Sequence, residues 1–409
     1  MRSLLGLLGV LAITLAAHAG DWPQFQGPDR NGISPEKGLA KTWPQEGPKV
    51  LWTAKMLPGF GGAAVEGDRL YILDNDGKQD ILHCLKTADG TEDWSFKQDG
   101  AGRTGYPGSR STPLLDKDHV YFVGPFGQLT CVSKKTHEKV WTRNLVTDKE
   151  FESRRPQWAI AQSPCLYKDL VIVAPQSSTV GVAALNRKTG EKVWYSKPIG
   201  PMAYQSPYVT KLHGVEQVIM MSNTTLAGLD VKDGTILWSY EGFRCRIPIA
   251  SPTDLGDGRF FITAAYNSGC AMVQVTLDGK EWKVKELFKN RNVESWMHNA
   301  LYYDKHLFAN STTNRKGLLC LDTEGKIAWA SEKGFDIGGP LLIADGMIYI
   351  MEGNGGTLHM VKASADKYQN VASAKILDGE QIWAPMALSD GKLYCRDQKQ
   401  LKCVDLKGK

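Results

Sequence analysis

The chain has 409 residues, 42% of them hydrophobic and 23% charged, the balance of a soluble globular protein with room for a large core. Its formal net charge of +5 is small and spread along the sequence, which excludes the basic footprint of a nucleic-acid or anionic-membrane binder. Forty-two glycines and twelve tryptophans point to tight turns between aromatic-rich strands.

In chain order, residues 1–19 read as an export leader. Arg2 precedes an apolar run from Leu4 to Ala16, and Ala17-His18-Ala19 forms a small-residue cleavage site. The run is shorter than the ~20 residues that span a bilayer, and no later stretch is long and apolar enough. Gly20 follows the cleavage site and the first cysteine is Cys84, so the expectation is a periplasmic or extracellular protein that is soluble, not lipidated and monomeric. Residues 20–46 are a lead-in that opens "GDWPQFQGPDRNGIS".

From residue 47 to 409 one pattern repeats. "LHCLKTADGTEDW" (82–94) returns as "LTCVSKKTHEKVW" (129–141), "VAALNRKTGEKVW" (182–194), "LAGLDVKDGTILW" (226–238) and "LLCLDTEGKIAW" (318–329). Degenerate copies follow at 272–282, 358–368 and 401–409. A β-branched, aromatic run precedes each copy, such as "DRLYIL" (68–73) and "DHVYFV" (118–123). Before that comes a short opening such as Ser163-Pro164, Ser206-Pro207 or Ser251-Pro252. Four strands per unit of ~45 residues, without helical periodicity, predict an all-β, eight-bladed β-propeller of four-stranded antiparallel blades. The last copy stops without its tryptophan strand, and "GPKVLW" (47–52) supplies one at the other end of the chain. Pairing of the two ends closes the ring.

The recurring Trp52, Trp94, Trp141, Trp194, Trp238 and Trp329 read as structural. Burying an indole removes ~150–250 Å² from water, worth roughly 4–6 kcal/mol gross. The third position of the repeat is Cys84, Cys131, Cys320 or Cys403 in some copies and Ala184 or Gly228 in others, so it asks for a small buried side chain. Mostly free thiols are expected. Two pairings stay open, Cys395 with Cys403 and Cys245 with Cys270, each within one unit.

The repeat resembles the PQQ-like repeat of quinoprotein-type propellers over nearly all of 50–409, and "DWPQFQGPDRNGIS" (21–34) resembles the lead-in of short exported members. The resemblance implies eight blades and two functional classes: PQQ-dependent alcohol or sugar dehydrogenases, and non-catalytic scaffolds such as the outer-membrane assembly factor BamB. The dehydrogenases need a divalent ion held by oxygen ligands, a catalytic Asp, cations for the cofactor carboxylates and stacking faces. Many use a disulfide between adjacent cysteines as one such face, and no Cys-Cys pair occurs in this chain.

Other constellations are weak. "DNDGKQD" (74–80) is acidic, but its glycine is misplaced for a calcium loop and a hairpin turn explains it better. The mature histidines show no zinc spacing, and no G-x-S-x-G or P-loop is present. The loops leading into the innermost strands carry the strongest candidates for a site. Propeller topology gathers them around one channel mouth: Arg103, Tyr106, Arg110, Arg154, Arg155, Gln157, Trp158, Arg244, Arg246, Glu294, Trp296, His298, Gln381 and Trp383. Arginine forks beside indoles suit an anionic or aromatic ligand, or a protein partner. The first expectation is an exported, non-catalytic propeller binding a partner at that face, as a BamB-like scaffold does. The alternative is an oxidoreductase holding PQQ and calcium at the mouth.

Overall fold

The structure, a computed structural model, describes residues 20–201, 204–312, 317–332, 335 and 338–408. The leader at 1–19 lies outside the described residues. Eight antiparallel sheets follow one another along the chain, and no helix occurs among the described residues. Blade 1 runs outward through Ala64–Glu66, Arg69–Asn75, Gln79–Lys86 and Glu92–Asp99. Blades 2 to 7 repeat that order, with inner strands at Leu114–Leu115, Cys165–Tyr167, Tyr208–Leu212, Thr253–Asp254, Leu301–Tyr303 and Leu341–Ala344. Blade 8 takes three strands from the C-terminus, and its outer strand is Val50–Lys55. That strand pairs antiparallel with Gln400–Asp405, Trp52 facing Cys403. The all-β, eight-bladed ring and its closure by the two chain ends therefore match the sequence expectation.

The repeat's third position is small because two aromatic rings meet over it. Cys84 lies between Tyr71 and Trp94 in the register, Cys131 between Tyr121 and Trp141, Cys403 between Tyr394 and Trp52. The ring centroids in these three blades stand 5.9–6.0 Å apart. Where Ala184 or Gly228 fills the slot, the residue opposite is Ile172 or Ile219. All eight cysteines are free and buried. Cys395 cannot reach Cys403 because its cross-strand partner is Lys402, so the two thiols face opposite sides of the sheet.

Tryptophans also join blade to blade. The Trp52 indole N–H donates to Thr87 O at 3.0 Å, Trp141 to Arg187 O at 2.9 Å, Trp194 to Val231 O at 2.9 Å and Trp329 to Ser364 O at 2.8 Å. Each acceptor belongs to the turn between the two outer strands of the next blade. Trp94 instead stacks on His137 at 4.5 Å, and Trp238 bonds Gln217 inside its own blade. Glycine in these turns leaves room for this docking: a Cβ on Gly190, which stands at φ 71°, would lie 2.6 Å from the Trp141 ring. In every blade the outer strand carries a β-bulge, which in all but blade 7 immediately precedes an aromatic. Bulges twist an edge away from flat pairing with another chain. The exposed apolar residues Leu51, Val140, Val193 and Leu287 are bulged residues of four different blades.

Around the channel the strand openings hold one another. Gly62 N–H donates to Thr112 Oγ1, Thr112 N–H to Ser163 Oγ, Ser163 N–H to Ser206 Oγ, and Ser251 N–H to Asn299 Oδ1, at 2.7–3.1 Å. The lead-in then crosses several of the blades. Trp22 and Val65 exchange backbone hydrogen bonds, Leu115 N–H donates to Pro23 O, and the Arg30 guanidinium donates to Pro164 O. Ile33–Ser34 adds a parallel fifth strand to the inner edge of blade 7, and Ala40 N–H reaches Leu406 O in blade 8. One short segment thus ties the inner strands of blades 1, 2, 3 and 7 to the end of the third strand of blade 8.

Candidate functional site

The connections that run from the outer strand of one blade to the inner strand of the next lie on one face. Seven of them converge on a cavity of about 160 Å³. They contribute Phe60, Tyr106 and Arg110, Trp158, Tyr204, Ile247 and Ile249, Trp296 to His298, and Trp383. Tyr266 enters from a hairpin of blade 5, and Phe25 from the lead-in. The result is an aromatic cup whose floor includes the lead-in residue Phe25.

The wall is a continuous run of ring contacts. Phe60 stacks on Trp383 at 5.4 Å and 24°, Tyr106 meets Trp383 edge-on at 5.4 Å, and Trp296 meets Trp383 at 5.4 Å. Tyr266 meets Trp296 edge-on at 6.2 Å. Trp158 and Tyr204 form a separate pair at 6.0 Å, in which the Trp158 backbone N–H donates to Tyr204 Oη. Such edge and offset geometries are the favourable ones between aromatic quadrupoles.

Two nitrogen groups break this apolar lining. Arg110 lies 5.5 Å from the Phe60 ring centroid and donates to Gly108 O, Thr104 Oγ1 and Tyr106 O of its own loop. Burial pulls its pKa down to about 10. His298 is buried, with Nε2 at 2.9 Å from Gly338 O, and desolvation lowers it to about 4. It is therefore neutral at pH 7 and braces neighbouring loops.

Six of the residues singled out in the sequence line the cup: Tyr106, Arg110, Trp158, Trp296, His298 and Trp383. Arg103, Arg154, Arg155, Arg244 and Arg246 do not; they are exposed on the same loops. Arg155 donates to Arg103 O and sits over Phe126 at 5.2 Å. It also acts electrostatically on Arg110, as Arg246 does on Tyr266. Glu294 does not face the mouth: it is fully buried, and its Oε2 accepts from Asn267 N–H at 3.2 Å. Phe25, Phe60, Tyr204 and Tyr266 were not singled out. Phe60 and Tyr204 occupy the loop class that held the other candidates, which was the available signal.

The lining does not fit PQQ with calcium. Calcium takes six to eight oxygens with carboxylates among them, and among the described residues no carboxylate lines the cup. Nor does any group of three or more His, Cys, Asp or Glu among them come together to hold a metal ion. "DNDGKQD" is a hairpin turn: Asn75 Oδ1 accepts from Gly77 N–H, and Asp76 Oδ1 accepts from Lys78 and Gln79 N–H.

Comparison with known proteins agrees with the fold. Among solved structures, a quinohemoprotein alcohol dehydrogenase of Pseudomonas putida HK5 superposes with a TM-score of 0.64 at 12% identity, over 96% of this chain and 81% of that one. BamB of Moraxella catarrhalis gives 0.63 at 14% identity, over 88% and 98%. The computationally designed Ika8 protein gives 0.56 at 11% identity, over 87% and 99%. At such identities these likenesses show the fold alone. No curated protein sequence matches the chain. The model of one protein family matches residues 42–149 and 103–331, which together cover more than half of the chain. The protein belongs to the family of the outer membrane protein assembly factor BamB.

Proposed function

We propose that the protein is an exported, non-catalytic propeller that holds a partner at the aromatic cup, as a scaffold in outer-membrane protein assembly. The observation that carries this reading is the lining: rings from six connecting loops, a hairpin and the lead-in, one half-buried arginine, one neutral histidine and no described carboxylate. Such a surface excludes water and grips an apolar or aromatic group. Its one histidine is held against Gly338 O of a neighbouring loop, and no metal ligand set is described there. The leader at 1–19 supports export, and no helix among the described residues is long and apolar enough to cross a membrane.

The likeness to quinohemoprotein alcohol dehydrogenases supports a second reading, an oxidoreductase that takes PQQ and calcium at the cup. Titration of the mature protein with PQQ, with and without calcium and followed by tryptophan fluorescence, separates the two. The scaffold reading expects no calcium-dependent quenching. Saturable quenching at micromolar PQQ that requires calcium, with dye-linked alcohol oxidation, overturns it.

A further inference from the structure

Resting on that binding reading, we propose that the occupant of the cup is an acidic polypeptide segment. One aromatic side chain of the segment enters the cup, and its carboxylates lie on an arc of rim arginines.

The arc is formed by Arg103, Arg154, Arg155, Arg244 and Arg246 on the loops that enter blades 2, 3 and 5. All five are exposed, and none makes an ion pair among the described residues. Elsewhere the protein behaves differently: Arg69, Arg143, Arg187 and Arg259, on the blade flanks, each hold a carboxylate at 2.7–3.2 Å. The rim guanidiniums are therefore concentrated beside the cup and left open at the one face where a partner can supply carboxylates. Planar guanidinium forks bind carboxylates in pairs, and like charge at the rim repels basic segments.

The cup complements the arc. A ligand lying wholly within it meets a single arginine, Arg110, already committed to its own loop. Contact with the exposed arginines requires a chain that leaves the cup and crosses several loops. The far arc carries Asp378 and Glu380, exposed on the loop of Trp383. The acidic side of the segment must therefore lie toward blades 2 to 5. The aromatic anchor supplies buried area, and the arginines supply register and rate of encounter.

The test uses the mature protein and three dye-labelled, capped heptapeptides read by fluorescence anisotropy. One has a central phenylalanine flanked by glutamates, one has glycine in place of the phenylalanine, and one has lysines in place of the glutamates. The first is expected to bind saturably, at least about tenfold more tightly than either control, and to weaken as salt screens the rim. Arg154→Glu with Arg155→Glu, and separately Arg244→Glu with Arg246→Glu, are expected to weaken it by at least about tenfold. These positions are exposed, and unchanged circular dichroism verifies folding. Equal affinity for the lysine peptide overturns the acidic assignment and leaves the cup as a binding site. Binding of none of the three overturns the proposal, and the PQQ titration then decides the underlying reading.

Discussion

Replacing Gly190 by alanine isolates the energy with which one blade docks on the next. Gly190 stands at φ 71°, and its added Cβ would lie 2.6 Å from Trp141 Cε3 and 2.7 Å from Cδ2. Left-handed alanine costs about 1–2 kcal/mol. The indole must also withdraw from the turn, which forfeits its bond to Arg187 O, about 0.5–1.5 kcal/mol, and strains its packing by about 1–3 kcal/mol. The expected loss is about 3–6 kcal/mol in all. Gly279 supplies the control: it lies in the two-residue turn at the tip of the longer blade 5 hairpin, at φ 60°, with nothing within 4 Å of an added Cβ. Gly279→Ala is expected to show the backbone strain alone, about 1–2 kcal/mol. Urea unfolding followed by tryptophan fluorescence compares the two directly. If Gly190→Ala falls within about 1 kcal/mol of Gly279→Ala, the indole does not hold the blades together and the docking argument fails.

Three other outcomes follow from the same structure. His83 is raised above its ordinary value: burial opposes its charge, but hydrogen bonds to Asp74 at 3.0 Å and Glu92 at 2.5 Å outweigh burial. Its contribution is therefore fully present below the unfolded pKa of about 6.5 and lost as pH rises through the higher folded value. The stability difference between the wild type and His83→Gln should be larger at pH 5.5 than at pH 9, and a pH-independent difference contradicts the assignment. Burial pushes Cys84 up to about 11 and Cys131 up to about 12, and all eight thiols are buried. An aromatic disulfide reagent at pH 8 should label none of them until denaturant is added; prompt reaction of even one thiol refutes this. Trp22, 2% exposed in the lead-in, should cost about 3–5 kcal/mol when changed to alanine. Limited proteolysis should then cut within 20–40, and unchanged resistance would mean that the lead-in holds without that anchor.

Much of the architecture was legible because every blade repeats its own instructions. Alternating apolar runs, a small residue beneath two rings, a glycine turn and a tryptophan recur in local order in most blades, so blade count and ring closure follow from counting. The candidate site was legible only by topology. Loops of one class reach one face, which brought Tyr106, Arg110, Trp158, Trp296, His298 and Trp383 into the cup. Which side chains of such a loop turn inward depends on contacts across blades. Glu294 therefore lies buried below the mouth, and five arginines stand on its rim. The placement of Phe25 could not be read at all. The lead-in has no repeat, and its course is set by backbone groups of five blades that lie far apart in sequence and meet only once the ring has closed.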